Sequence, residues 1–185
     1  MANGTLKVGT ITTSSGSGNI SIGSGVTINV NRPAFSAYAG SDQSSITDNT
    51  WTKVNMNTEF YDTDSAYDTS TYRFTIPTGG DGKYIFGASL YVEGSDTIGS
   101  SSIAFYKNGS KIFYQEQTVD NNNVLQLTGT FDLSATDYIE LYVKGDIASS
   151  GTLTVNQDGT TTNNRAFWYG YKIVAPAGIV IVSPD

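Results

Sequence analysis

The sequence predicts an all-β protein. Glycine and polar turn residues interrupt it every six to ten residues, and β-branched and aromatic residues dominate the segments between, the punctuation of short strands joined by turns. Two segments alternate with period two: Lys83 to Tyr91 sets Tyr84, Phe86, Ala88 and Leu90 on one face, and Tyr138 to Lys144 sets Ile139, Leu141 and Val143 on one face. No long window holds apolar residues at helical spacing without a glycine or a β-branched cluster, so almost no helix is expected.

Residues 1–31 are rich in Gly, Ser and Thr and hold no aromatic residue. Leu6 and Val8, Ile20 and Ile22, and Val26, Ile28 and Val30 alternate with polar neighbours across turns at Ser14 to Gly18 and Gly23 to Gly25. The pattern suggests two or three short strands unable to form a core alone. These seven apolar residues are the expected particle-attachment positions of an N-terminal arm; a flexible Gly/Ser linker is the alternative.

Further along, Asn108-Gly109 supplies the two positive φ angles of a type I′ hairpin joining Ser102 to Tyr106 with Lys111 to Gln115. Loops are expected at Gly94 to Ser101, Asp120 to Asn123, Gly145 to Gly151 and Asn156 to Asn164. After Tyr171-Lys172-Ile173, the run Ile179-Val180-Ile181-Val182 reads either as a last core strand or as a strand that adds to another chain's sheet edge. The expected division is an arm over 1–31, a globular domain over 32–174 and a β tail over 175–185.

Composition narrows the function. The chain has 185 residues, with no Cys and no His. That excludes Ser-His-Asp and Cys-His nucleophiles, disulfides and ordinary zinc, haem or iron-sulfur sites. The formal net charge of -7, or -21 for three copies, and the lack of a basic cluster oppose nucleic-acid binding. No stretch approaches 18 apolar residues and no signal-peptide pattern opens the chain, so neither a membrane partner nor an export address is expected. The triplets at Asn3, Asn19 and Asn108 match the glycosylation pattern, but such patterns arise by chance in an Asn- and Thr-rich chain.

From Pro33 onward a series of motifs resembles, in order, the globular head of complement first component, subunit q, whose jelly roll is shared with the tumour necrosis factors. Arg32 to Ala37, containing Phe35, resembles the opening strand of that family, and Trp51, Val54 and Phe60 its next. Tyr67 to Thr71, Phe74, Pro77 and Gly82 to Phe86 resemble the central signature, and Lys107-Asn108-Gly109 the Asn-Gly hairpin. Leu125-Gln126-Leu127 resembles the strand before the family's Gly-Asp turn, and Trp168-Tyr169-Gly170-Tyr171 its closing strand. The match spans about residues 32 to 173. It departs from the family where Asp132 to Asp137 replaces the Gly-Asp turn and where the collagen-like stalk is missing.

The resemblance implies a two-sheet, ten-stranded jelly-roll sandwich that forms homotrimers. Its signature and core positions here are Phe35, Phe60, Tyr67, Phe74, Pro77, Gly82, Tyr84, Phe86, Trp168, Gly170 and Tyr171. Phe74, Tyr84 and Phe86 would fill the core, Pro77 would end a strand and Gly170 would permit close backbone approach. The arm, through Gly4 to Ile11 and Gly23 to Thr27, is similar to the opening segment of structural proteins of tailed, especially aquatic, phages.

Three further features bear on chemistry. Asp62, Asp64 and Asp68 crowd one loop, but Ala66, Tyr67 and Arg73 stand where an EF-hand needs an acid or amide, Gly and Glu, so a solvated loop is expected and no metal or other cofactor. Glu59, Glu93, Glu116 and Glu140 are scattered over strands without the pairing that glycoside hydrolysis needs, so no enzyme is expected. The aromatic excess suits either sugar stacking or packing on a trimer axis, and packing is the expectation. The functional expectation is a trimeric decoration or cement protein on a phage head, held to capsid or tail proteins at the virion surface by its arm. A tail-fibre tip or adhesin for a host surface glycan, and a secreted complement-type recognition module, are the alternatives. Decoration is preferred because 31 residues suffice for an anchor but supply no shaft.

Overall fold

The computed structural model describes residues 32–118, 122–157 and 165–174. The arm with Leu6, Val8, Ile20, Ile22, Val26, Ile28 and Val30, the tail over 175–185 and the loop residues 119–121 and 158–164 lie outside the described residues.

Thirteen strands follow one another among the described residues: β1 (Ala34–Tyr38), β2 (Gln43–Thr47), β3 (Thr52–Lys53), β4 (Thr58–Asp62), β5 (Tyr67–Asp68), β6 (Arg73–Thr75), β7 (Gly82–Gly94), β8 (Ile98–Lys107), β9 (Ser110–Gln117), β10 (Asn123–Leu133), β11 (Tyr138–Ile147), β12 (Thr152–Asn156) and β13 (Phe167–Val174). Ten of them are five residues or longer. The one helical turn among the described residues is Ala148–Ser150.

Two antiparallel sheets result. In the first, β7 carries β10 along one side. Its other side is shared, with β13 against Lys83 to Ser89 and β12 against Tyr91 to Gly94. Beyond β13 come β1 and then the edge strand β4, and beyond β12 comes β2. The second sheet runs β5-β6-β11-β8-β9, with β3 also paired to β11. The two layers enclose one core, and the architecture is the two-sheet jelly roll.

Alternation builds that core. On β7, Tyr84, Phe86, Leu90 and Val92 are buried inward; on β11, Ile139, Leu141 and Val143 are. Phe35 sits at the centre, its ring 4.9 Å from Tyr67, 4.6 Å from Phe74 and 4.7 Å from Trp168. Each fully buried side chain of this size contributes roughly 1.5–3 kcal/mol. The polar ends of these rings are satisfied. Tyr67 Oη donates to the Met56 carbonyl at 2.6 Å and accepts from Trp168 Nε1 at 3.4 Å. Tyr84 Oη donates to the Gly80 carbonyl at 2.6 Å. Burial pushes the Tyr84 hydroxyl up to about 12 and the Tyr67 hydroxyl higher than any ordinary tyrosine.

Glycines enter where the packing needs them. A Cβ at Gly170 would stand 2.5 Å from the Phe86 ring and 2.9 Å from that of Phe35, so the glycine lets β13 cross the aromatic core. Pro77 follows the end of β6, and its carbonyl accepts from the Gly80 N–H at 2.8 Å across a turn in which Gly79 has φ 76°. At the predicted hairpin, Asn108 and Gly109 have φ 51° and 79° between β8 and β9.

Four expectations are corrected. Phe60 is 52% exposed, because β4 is an edge strand whose outer side chains meet no second layer among the described residues. Tyr171 is 41% exposed, because the alternation that buries Trp168, Gly170 and Lys172 turns it outward. The loop placed at Gly94 to Ser101 shrinks to Ser95 to Thr97, since Ile98 and Ser101 are buried and the Ser101 hydroxyl accepts from Asn123 Nδ2 at 3.1 Å. Gly145 to Ile147 are likewise strand, with the loop confined to Ala148 to Gly151. Gly145 is small for packing, as its Cβ would stand 3.0 Å from Leu153 Cδ1.

Candidate interaction surfaces

The large hydrophobic side chains exposed among the described residues fall into two groups. Phe60 and Tyr61 on β4, with Tyr171 and Ile173 on β13, form one. Ile112, Phe113 and Tyr114 on β9 and Val124 on β10 line the other flank, where Val124 turns to the outer face of the first sheet beside Tyr91 and Tyr114 to that of the second. In the first sheet β4 and β10 occupy opposite edges, and β9 is the edge of the second sheet on the β10 side, where Phe113 meets Phe131 at 6.3 Å. The groups therefore stand on opposite flanks of the sandwich.

The β13 flank is built by alternation and by a glycine. Tyr169 and Tyr171 point outward with their rings nearly parallel, 6.4 Å apart at 13°. Tyr169 can lie flat because its neighbour across the β13–β7 ladder is Gly87, whose Cβ would stand 2.5 Å from the phenol oxygen. Phe60 packs on Tyr38 at 4.5 Å. Toward β10, Ser89, Tyr91, Val124, Arg165 and Phe167 line a shallow groove of about 420 Å³, in which the Arg165 guanidinium lies 4.7 Å over the Tyr91 ring.

A third surface lies on the outer face of the second sheet. Trp51 is half-buried there, 6.2 Å from Tyr106 and 6.4 Å from Tyr114, while Tyr106 stacks on Tyr142 at 3.9 Å. Lys111 Nζ lies 4.6 Å from the Trp51 ring centre and 4.4 Å from that of Tyr114, and Lys144 Nζ lies 5.8 Å from Trp51. Next to Trp51, β3 is locked down by a buried carboxylate: Glu140 Oε1 accepts from Lys53 Nζ at 2.7 Å and from Arg73 at 2.9 Å.

Of the acidic residues singled out above, Asp62, Asp68, Glu93 and Glu116 hold local structure. Asp62 accepts from the N–H groups of Asp64 and Tyr67 at 3.2 and 2.8 Å. The Asp68 carboxylate accepts from the hydroxyl and N–H of Ser70 and from Thr71, which hold it well below the usual carboxylate range. Glu93 accepts from Asn122 and Asn156, and Glu116 from the Ser102 hydroxyl. Of the signature residues, the structure brings Phe35, Tyr67, Phe74, Tyr84, Phe86 and Trp168 together in the core and leaves Phe60 and Tyr171 on the surface. Sequence reasoning missed the Trp51 cluster and the Glu140 network, whose members lie 87 and 67 residues from Glu140. No short-range pattern could have joined them.

Comparison with known proteins agrees with this architecture. No family model matches the chain, and no curated protein matches it. Among solved structures, the globular domain of zebrafish complement 1qA protein superposes with a TM-score of 0.55 at 15% identity, covering 78% of this chain and 99% of that one. Murine APRIL gives 0.56 at 13% identity over 77% and 100% of the two chains, and Eiger TNF from S. frugiperda 0.52 at 12% over 82% and 98%. At these identities the likeness is one of fold: this chain has the jelly roll of the complement 1q head and of the tumour necrosis factors.

Proposed function

We propose that this protein is a non-catalytic, homotrimeric surface module. The observation that carries the trimer is the placement of two unlike apolar groups, on β4 and β13 and on β9 and β10, at opposite flanks of one sandwich. Unlike patches on opposite flanks pair head to tail, and a head-to-tail contact that closes makes a ring. Exposed apolar groups of this kind mark association surfaces. Domains of the complement 1q and tumour-necrosis-factor type are typically homotrimers, which is compatible with this closure.

The trimer is tested by sedimentation equilibrium of the protein from residue 32 onward, with Tyr171→Glu and Val124→Glu as variants on the two flanks. A trimer that each single variant dissociates is the expected result. A monomeric parent protein, or variants that remain trimeric, would reject the interface.

Its expected setting is the virion surface of a tailed phage, as a head decoration protein held by residues 1–31. The alternating apolar positions of that segment suit strands laid on a partner surface. The fold is equally compatible with a secreted complement-type module, and particle occupancy separates the two. A second reading, recognition of a host surface, is favoured by the Trp51 cluster, which among the described residues packs against no second layer of the sandwich and carries two lysines.

A further inference from the structure

The Trp51 surface has a chemistry that the trimer does not use. In a chain of 17 acidic and 10 basic side chains, several of the described cations are held by carboxylates. Lys53, Arg73, Lys83 and Lys107 are so paired among the described residues. Lys111 and Lys144 are not; both ammonium groups stand over aromatic rings. The rings are held in place: Trp51 is edge-on to Tyr106 and Tyr114, and Tyr106 is stacked on Tyr142. The segment bearing Trp51 is anchored through Lys53 to buried Glu140. Covering the small outward residue Ala104 would need an apolar side chain there, but it would not need two unpaired cations beside it.

Aromatic faces are complementary to the C–H faces of pyranose rings, and an ammonium without a carboxylate of its own is complementary to an anion. Because the rings are already fixed against each other, little side-chain freedom is lost on binding. We propose that Trp51, Tyr106 and Tyr142, with Lys111 and Lys144, form a binding site for a carboxylate-bearing pyranose, that is, an acidic glycan. On binding, the two lysines swing from the Trp51 face to the carboxylate, and the sugar face takes their place on the ring. The inference rests on the recognition reading and names its ligand class. Its observations are separate from those that carry the trimer, although the site borders the β9 flank, since Lys111 lies on β9 and stands over the Tyr114 ring.

Titration calorimetry of the full chain with an oligogalacturonate hexamer, its methyl ester and sialyllactose tests this. The expected result is binding of at least one acidic sugar, no heat from the ester, and weakening by salt. Loss of the charge-assisted contacts in the Lys111→Gln/Lys144→Gln double variant is expected to weaken binding about tenfold or more. Trp51→Ala should abolish binding; the lysine variant, altered only at side chains on the surface, guards against misfolding as the cause. Equal binding of ester and acid, or binding indifferent to the lysines, would overturn the acidic class. Silence with all three sugars while the protein still adheres to host cells would overturn this site and leave the recognition reading standing. Silence together with no adhesion would reject both.

Discussion

Asn108 Nδ2 donates to Asp137 Oδ1 at 2.7 Å, and Asn108 Oδ1 accepts from the Tyr138 N–H at 2.9 Å. The hairpin residue thus does two things at once. Its backbone makes the left-handed turn between β8 and β9, and its amide ties that turn to the one joining β10 and β11. There Asp137 closes on Ser134, Oδ2 accepting from its N–H at 2.9 Å, and Lys107 Nζ stands 2.7 Å from the same oxygen.

Gly109→Val is expected to destabilise the domain by about 1–3 kcal/mol, the scale of a β-branched residue forced to positive φ. A Cβ there would meet only Tyr138 Oη, at 3.7 Å, so the cost is one of backbone and not of crowding. The melting temperature of the variant checks it, and an unchanged value would show that the turn relaxes freely.

Asp137 makes stability depend on acid. Its partial burial raises the carboxyl, but hydrogen bonds from Lys107, the Ser134 N–H and Asn108 outweigh this and hold it down at about 2. An unfolded aspartate titrates near ~3.9, so the folded state binds the proton less readily. The stabilisation is complete above about pH 4 and is lost as pH falls toward 2. The difference in melting temperature between the protein and Asp137→Asn should be constant at pH 5 to 7 and shrink steadily below pH 4. A difference that persists at pH 2 would contradict the assignment.

Gly87 and Tyr169 are expected to be energetically coupled. Gly87→Ala pushes a methyl group into the Tyr169 ring and should cost about 1–3 kcal/mol, the usual scale of overpacking. In a Tyr169→Ala background the same change should cost little. Urea unfolding of the four proteins gives the coupling, and additive effects would mean that the ring moves aside.

How much of this was readable in advance depended on the range of the interaction. Period two exposed β7 and β11, and a dipeptide exposed the hairpin, because both are local. The order of motifs exposed the jelly roll and most of the aromatic core. The orientation of Phe60 and Tyr171 was not readable, since an edge strand and an outward strand position carry the same residue types as a core. Gly94, Gly99 and Gly145 resembled loop punctuation yet lie within strands. Thr136 shows the converse. It adopts φ 74°, a region that favours glycine, in the very turn where the family pattern has Gly-Asp. The Trp51 and Glu140 clusters are long-range, and one sequence carries no mark of them.

Removing residues 1–31 is expected to leave a soluble trimer with a melting temperature near that of the full chain, and to abolish its incorporation into particles. Burying one such apolar side chain contributes roughly 1.5–3 kcal/mol, and three arms act together. Particle occupancy by quantitative gel analysis is the measurement. Wild-type occupancy of the truncated protein would move the attachment role to the loops or to Ile179 to Val182, and failure to fold would make the arm part of the domain.

The pairing of β1 with β13, Ala34 against Tyr171 through Tyr38 against Phe167, has a bearing on how the chain is born. Phe35, at the centre of the core, belongs to the first described strand, and Trp168, against its ring, to the last. A ribosome synthesising from the N-terminus therefore releases β1 and β4 well before β13, the strand that joins them to β7, has emerged. Until then Phe35 lacks the Trp168 side of its pocket and β1 keeps an open edge. Such contacts, distant in sequence, fold slowly, and nascent chains halted before residue 167 should be held by chaperones and cut by proteases that the finished protein resists.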